Sequence, residues 1–495
     1  VLSNVADAIT HWARLKPNAA AVIEGDRRVT YAAFEGAVWR AAAAWREAGI
    51  SAGKVVGVSL PNSVLYLVAF YGLARLGATV LPLPLDEPPQ YRAELARRFG
   101  ATAVIGDLGG SPMASLRPDP AWLDGAPHGP DPTLRVDGGD RALKIAFSSG
   151  TTGRAKAVLR THRASLQIDR HRRLAVPQFA NDVFVALLDM AMSYGLRPCL
   201  RTLEVGATVV VAARGIGAAD FAALAERSGA TQLALTPFHV MALMGDVRKP
   251  GPMLPGVREL VVSTANCPHA LRQDIRARLT SGLIVSYGSN EVNVLAVADG
   301  ELQDRFPDCV GRCIPGIDVE AVDERDVPVR AGTMGLLRFR APWFPTAYID
   351  DAVASAKAFR DGWFYPGDMG VLTPDKVIHL MGRADDVINF DGIKIAPLDI
   401  ERVLLAHPAV VEAAAFPMPS KLHQQIPVAA VTLRQPASSD ELLSFARQRL
   451  GTRGPARVVI VRSLPKNAMG KVLKNDLAQT LAAALQPSPD SKMPG

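Results

Sequence analysis

Between Phe147 and His162 the chain reads FSSGTTGRAKAVLRTH, with Ser148, Ser149, Gly150, Thr151, Thr152 and Gly153 in six consecutive positions and Lys156 three residues on. Glycines let successive backbone N–H groups turn inward and the hydroxyls add donors, so such a loop can wrap an anion, phosphate above all. A Walker loop places glycine directly before its lysine and Ser or Thr directly after, whereas Ala155 and Ala157 flank Lys156 here. That excludes the Walker arrangement. On this loop alone, a polar hairpin turn stands beside the phosphate cradle.

Four later segments are as polar and as marked by glycine. SYGSNEVN presents Asn290 and Glu291 just after Tyr287 and Gly288; WFYPGDMG places Asp368 after a glycine turn. GRADDVINFDGIK combines Arg383, the pair Asp385 and Asp386, and Gly392, and LPKNAMGK sets Lys471 directly after Gly470. Each has a plain reading: a solvated carboxylate, a turn aspartate, a surface lysine. The four cysteines and nine histidines are scattered, and Cys309 and Cys313 lack a second pair or a nearby histidine, which points to buried thiols and not to a metal site.

These residues need a frame to hold them. At 495 residues the chain is expected to form at least two domains, and 48% apolar with 21% charged residues describes a globular protein. The greasy run VLYLVAFYGLARLGATVLPLPL carries Arg75 near its middle and reads as a buried helix and strand, not a membrane span. No signal-peptide pattern opens the sequence, so a cytoplasmic enzyme is expected. The net charge of +7 (55 basic minus 48 acidic residues) is dispersed, with no aromatic–basic stripe of a nucleic-acid reader; a mild basic excess suits polyphosphate ligands.

Strands at KVVGVSL, RALKIAF, TVVVAA, QLALTP, ELVVS and LIVSYG alternate with helical patterns such as RVTYAAFEGAVWRAAAAWREAGI, which implies α/β architecture with parallel sheets covered by helices. RALKIAF delivers the hydroxyl-rich loop at its end, where such sheets place ligands. Leu108 to Asp140 reads as an extended surface loop. After Glu301 short strands with turns (DVEAVDE, GLLRFRA, GVLTP, VIHLMGR) suggest a β-rich subdomain over about 301–384 within an N-terminal domain of 1–384. A compact α+β domain is expected over 385–495, ending in a disordered tail.

Taken together and in order, the five polar segments resemble the adenylate-forming superfamily of acyl-CoA synthetases, peptide-synthetase adenylation domains and beetle luciferases, over nearly the whole chain. That family's phosphate loop matches Ser148 to Ala157, its Tyr-Gly-x-Thr-Glu motif Tyr287 to Glu291, and its Thr-Gly-Asp motif Pro366 to Asp368. Its hinge motif matches Gly382 to Asp386 and its terminal lysine motif Pro465 to Lys471. The resemblance implies a two-step reaction: a carboxylate attacks the α-phosphate of ATP to give acyl-adenylate and pyrophosphate, then a thiol displaces AMP. It implies that the loop from Ser148 to Lys156 cradles phosphates, that Glu291 holds Mg²⁺, and that Asn290 donates to phosphate. Tyr287, Asp368 and Arg383 would serve the nucleotide, Lys471 would bridge carboxylate and phosphate, and Asp385 and Gly392 would provide the hinge and the pantetheine path.

The chain also departs from that pattern. Ala155 and Ala157 replace Pro and Gly around the loop lysine, Asn290 and Pro366 replace threonines, and STANCP, with Thr264 and Ala265, replaces a glycine-rich adenine-side segment. An active enzyme is favoured, with a binding-only relative as the alternative. Met192 stands where amino-acid-activating members carry an aspartate, and burying an ammonium against a thioether is costly, so amino acids are disfavoured. With Ser193, Leu196, Phe238, Thr264, Ser286 and Val294 it is expected to line a pocket for an aromatic or medium-sized apolar carboxylic acid. Coenzyme A is the favoured acceptor, with the phosphopantetheine arm of a carrier protein as runner-up. Arg453 and Arg457 could meet coenzyme A phosphate, although a solvated basic face is the favoured reading.

Overall fold

The computed structural model describes residues 2–125, 131–148, 155–245, 251–390, 393–420, 424–466 and 472–485. Its N-terminal part carries two sheets. The first has nine strands, in the order Arg312–Cys313, Asn293–Ala298, Leu283–Ser289, Glu259–Val262, Gln232–Leu235, Val183–Ala186, Thr208–Val211, Ala20–Glu24, Arg27–Thr30. The strands from Leu283–Ser289 through Ala20–Glu24 are all parallel, and antiparallel strands finish both edges. The second sheet runs Ser115–Leu116, Ala101–Gly106, Val55–Ser59, Thr79–Pro82, Ala142–Ser148, Lys156–Thr161, parallel until its last pair. That last pair is an antiparallel hairpin, and it carries the hydroxyl-rich loop.

Helices between the sheets form the main core. In Tyr31–Glu47 the Thr30 hydroxyl accepts the Ala33 N–H at 3.2 Å, which starts the helix there and leaves Arg27–Thr30 as a strand. Its partner helix Val64–Arg75 is capped by Ser63. Gly72 permits their close approach, since a Cβ there would lie 2.6 Å from the Trp45 ring. Arg75, the one charge in the greasy run, is buried and paired with Glu35 at 2.8 Å, its guanidinium 3.8 Å from the centroid of Trp39. Among the described residues no helix is long and apolar enough to cross a membrane. Between Leu108 and Asp140 the described residues are mostly irregular, but they include the edge strand Ser115–Leu116 and two 3₁₀ turns, and Leu123 and Leu134 anchor them in the main core.

An antiparallel sheet built from Asp318–Val322, Met334–Arg340, Phe359–Arg360, Trp363–Phe364, Asp368–Leu372 and Ile378–Arg383 forms the β-rich subdomain. A short 3₁₀ turn, Ala384–Asp386, separates it from the C-terminal α+β unit. There the strands Ile393–Ile395, Ile388–Phe390, Gln424–Leu433, Val410–Ser420 and Arg457–Ile460 enclose a separate apolar cluster with the helices Pro397–Leu405 and Ser439–Leu450. The expected tail beyond 485 lies outside the described residues.

One buried histidine makes this fold sensitive to acid. His162 opens the helix His162–Ala175 and is fully buried; its Nδ1 accepts the Val5 N–H at 3.2 Å, which requires a neutral ring. Burial lowers its pKa from 6.5 to about 4. The unfolded chain therefore takes up a proton between pH 6.5 and 4 that the native chain refuses, and stability falls as pH drops through that window. A loss of about 2 kcal/mol between pH 7 and pH 5 is expected from this residue. Denaturant titrations of the wild type and His162→Gln at the two pH values check it: the variant should show a smaller acid loss, and equal losses would refute the assignment.

Candidate active site

Strand ends bring three of the polar segments together. Tyr287 sits near the end of Leu283–Ser289, which folds back through Asn290 and Glu291 into Asn293–Ala298. Gly288 is forced by this hairpin, since a Cβ would lie 1.8 Å from the Asn293 carbonyl oxygen. Asp368 begins the subdomain strand that pairs with Ile378–Arg383, in register with Arg383. The buried Tyr287 hydroxyl donates to Asp368 Oδ2 at 2.5 Å, and Arg383 Nη1 lies 3.3 Å from Oδ1. Burial first, then the Asp368 carboxylate, raises the Tyr287 phenol well above its usual pKa, so it remains a donor. Arg383 also donates to the Pro366 carbonyl at 2.5 Å, a contact that proline supports as well as threonine would. The outcome is an oriented, half-buried carboxylate, an acceptor-only group of the kind that suits sugar hydroxyls.

Beside it, Glu291 accepts a hydrogen bond from the Tyr348 hydroxyl at 2.9 Å, and Lys156 Nζ lies 5.6 Å from the Tyr348 ring centroid. Arg160, buried in the hairpin strand, donates to the Glu291 carbonyl at 2.7 Å and to the Asn290 carbonyl at 3.4 Å, fixing that turn to the hairpin of the loop. The half-buried Asn290 is thereby held at the same edge as Lys156. Ala155 and Ala157 are buried in an apolar cluster with Ile145, Leu81 and Leu83, and the Ala157 carbonyl accepts the Ile349 N–H at 2.7 Å. Their methyl groups fill space that the glycine usual at 157 would leave empty. Ser148 ends its strand in register with Lys156, while Ser149, Gly150, Thr151, Thr152 and Gly153 lie outside the described residues.

Thr264 has φ of +78°, a left-handed conformation in which a β-branched residue is strained by about 1–2 kcal/mol. It is exposed, beside Ser263, whose hydroxyl donates to the Ser286 carbonyl at 2.7 Å. Met192 caps the helix Ser193–Glu204 and, like Ser193, is half-buried. Leu196 is fully enclosed in the main core. Phe238 is 47% exposed, with Lys466 Nζ of the C-terminal unit 5.8 Å from its ring centroid. Val294 packs on the subdomain cluster and is half-buried, as is Ser286. Asp385 lies in the 3₁₀ turn, exposed, 3.6 Å from Lys357. Gly392 and Lys471 lie outside the described residues.

Sequence reasoning missed Tyr348, Arg160 and Lys144. Nothing marks Tyr348 in its segment, but Lys144 and Arg160 are charges within otherwise apolar strands, and that was a usable signal. Among the described residues no cluster of three or more His, Cys, Asp or Glu could hold a metal. A half-buried single carboxylate, Glu291, suits Mg²⁺, which keeps waters and is bound by one or two carboxylates together with substrate phosphates.

The AMP-binding enzyme family matches residues 9–349, and the AMP-binding enzyme C-terminal domain matches residues 399–471. The chain therefore belongs to the AMP-binding enzyme family, in the adenylate-forming superfamily, and is an AMP-forming acid–thiol ligase. It is similar to 4-coumarate–CoA ligase 5 of Oryza sativa subsp. japonica, 28% identical over 482 residues, which are 90% of this chain and 88% of that protein. Its fold is that of ATP-bound MatB from Rhodopseudomonas palustris (TM-score 0.87, 23% identity, 97% of this chain and 99% of the other). It is also that of o-succinylbenzoate CoA synthetase (MenE) from Bacillus subtilis (TM-score 0.82, 22% identity, 95% and 97%).

Proposed function

We propose that this ligase activates a carboxylic acid with an apolar body, aromatic or of medium size, as its acyl-adenylate and transfers the acyl group to coenzyme A. The observation that carries the reading is the convergence of Tyr287–Asp368–Arg383 with Glu291–Tyr348–Lys156 at the edge where the hydroxyl-rich loop leaves its strand. Two anions must meet here, so oriented donors and cations have to offset their repulsion. Asp368 and Arg383 would hold the ribose of ATP. Ser148 to Lys156 and Asn290 would take the phosphates, and Glu291 the Mg²⁺. A carboxylate oxygen then attacks the α-phosphorus as the bond to pyrophosphate breaks. In the second step a thiolate attacks the acyl carbon and AMP leaves.

The C-terminal unit, from about Asp385, would act as a lid that presents Lys471 for the first step and the Gly392 segment for the second. Its described ion pairs with the larger part, Lys394–Glu324, Arg402–Asp308 and Lys357–Asp385, involve partly or wholly exposed side chains; such pairs are individually weak and suit a unit that has to move. The relatives' coenzyme A chemistry supports this acceptor. Pyrophosphate release measured over a panel of aryl and aliphatic acids, followed by thioester formation with coenzyme A or a phosphopantetheinylated carrier, tests the reading. No pyrophosphate release with any acid of the panel points to the binding-only alternative; transfer to the carrier alone would replace coenzyme A as acceptor.

A further inference from the structure

Behind the candidate acid pocket lies a set of buried cations that the reaction above does not use. Lys144, on the strand leading to the hydroxyl-rich loop, is 2% exposed, and its polar partner among the described residues is the Ser193 hydroxyl, 3.2 Å from Nζ. Arg160 and Arg197 are close enough to repel it and are themselves buried. Arg197 is paired with Asp169 and bonds Ser165, whereas Arg160 donates from Nη2 to the Asn290 and Glu291 carbonyls and its Nε has no partner among the described residues. Among the described residues neither Lys144 nor Arg160 has a carboxylate at ion-pair distance. Asp169 and Glu291 lie near enough to attract Arg160, but among the charged groups that act on Lys144 there are only the two arginines.

Such a cluster is costly as it stands, because an isolated buried ammonium lacks both water and a counter-charge. Burial and the two guanidiniums accordingly push the Lys144 pKa well down. What relieves the cost is an anion, and the polar group that Lys144 touches, Ser193, is half-buried at the first turn of its helix beside Met192.

We propose that Lys144, acting through and beside Ser193, makes the acid pocket selective for dicarboxylic acids: one carboxylate is adenylated, and the second, across an apolar body, is received at Ser193 by the Lys144 ammonium. The proposal rests on the acid-activating reading above and adds the second charged group to its substrate. Lys144 is a specificity-determining residue and takes no part in the chemical step.

Matched acids test it: hexanoate with adipate, octanoate with suberate, benzoate with terephthalate, each assayed for pyrophosphate release and for direct binding by calorimetry. In at least one pair the diacid should exceed its monoacid in kcat/KM by roughly ten- to a hundredfold, the scale of a charged hydrogen bond. Lys144→Met, which keeps the length and removes the charge, should bring the members of that pair together, and Ser193→Ala should reduce the gap. Thermal midpoints confirm that both variants fold; if Lys144→Met does not, Ser193→Ala alone decides. Monoacids used as well as diacids throughout, or a diacid preference that survives in the folded variants, overturns the proposal while leaving the ligase reading intact. A variant that loses both acids equally, or that loses ATP instead, also overturns it, since the cluster would then serve the reacting carboxylate or the phosphates. No pyrophosphate with any acid, and no acid binding, is the distinct failure of the ligase reading itself.

Discussion

Lys471→Ala should cut pyrophosphate release by about 10²–10³-fold, the scale for removing one preorganised charge stabiliser, yet still convert supplied acyl-adenylate into thioester. The reason is that Lys471 is needed only while a carboxylate approaches a triphosphate. Once pyrophosphate has left, that repulsion is gone and the lysine has no comparable task. Gly392→Leu should do the reverse, because a side chain there would obstruct a pantetheine arm that glycine lets pass close to the backbone, while pyrophosphate release continues. Both half-reactions measured on both variants give four rates, and the expected pattern is crossed. Equal losses of the two half-reactions in folded Lys471→Ala would rule out alternation of the C-terminal unit between two placements.

The second large effect belongs to Asp368. Its carboxylate is held by the Tyr287 hydroxyl at 2.5 Å and by Arg383 at 3.3 Å, so its position is set before any nucleotide arrives. Asp368→Ala removes a charged acceptor for two hydroxyls, and each such hydrogen bond contributes about 1.5–3 kcal/mol. A rise of about 100-fold or more in KM for ATP is expected. The same change leaves the buried Tyr287 hydroxyl without its partner, at a cost to stability of about 1–3 kcal/mol. The double variant Tyr287→Phe, Asp368→Ala should regain part of that stability and none of the ATP affinity. Steady-state kinetics in ATP and denaturant titrations separate the two effects; an unchanged KM in a folded Asp368→Ala would remove Asp368 from the nucleotide site.

Much of the frame was legible because its signals are local. The apolar runs TVVV, QLAL, ELVV and LIVSYG each became a strand of one parallel sheet, since a strand covered on both faces has to be apolar along its whole length. The short alternating strands after Glu301 became the antiparallel subdomain for the complementary reason, one face being packed and the other open. The loop from Leu108 to Asp140 was less legible: glycine and proline marked it as irregular, but nothing local revealed that Leu123 and Leu134 would tie it into the core. The start of the helix at Tyr31 in place of Arg28 turned on a single hydrogen bond from the Ala33 N–H to Thr30.

By itself the sequence determined which residues can do chemistry: hydroxyls and glycines in one loop, then Glu291, Asp368, Arg383 and Lys471 at motif spacing along 495 residues. Side-chain type limits what each group can donate, accept or neutralise, and backbone demands such as Gly288 are written one position at a time. Only the tertiary structure decided which of them meet. Tyr287 and Asp368 are 81 positions apart, Tyr348 and Glu291 57, and Lys144 and Ser193 49. No local propensity encodes such pairings, because they follow from the order of strands within separate sheets and from the way those sheets pack. The burial of Lys144 is the clearest case: a lysine in a sequence is by default a solvated charge, and only its position against Ser193, near two buried arginines, makes that charge costly.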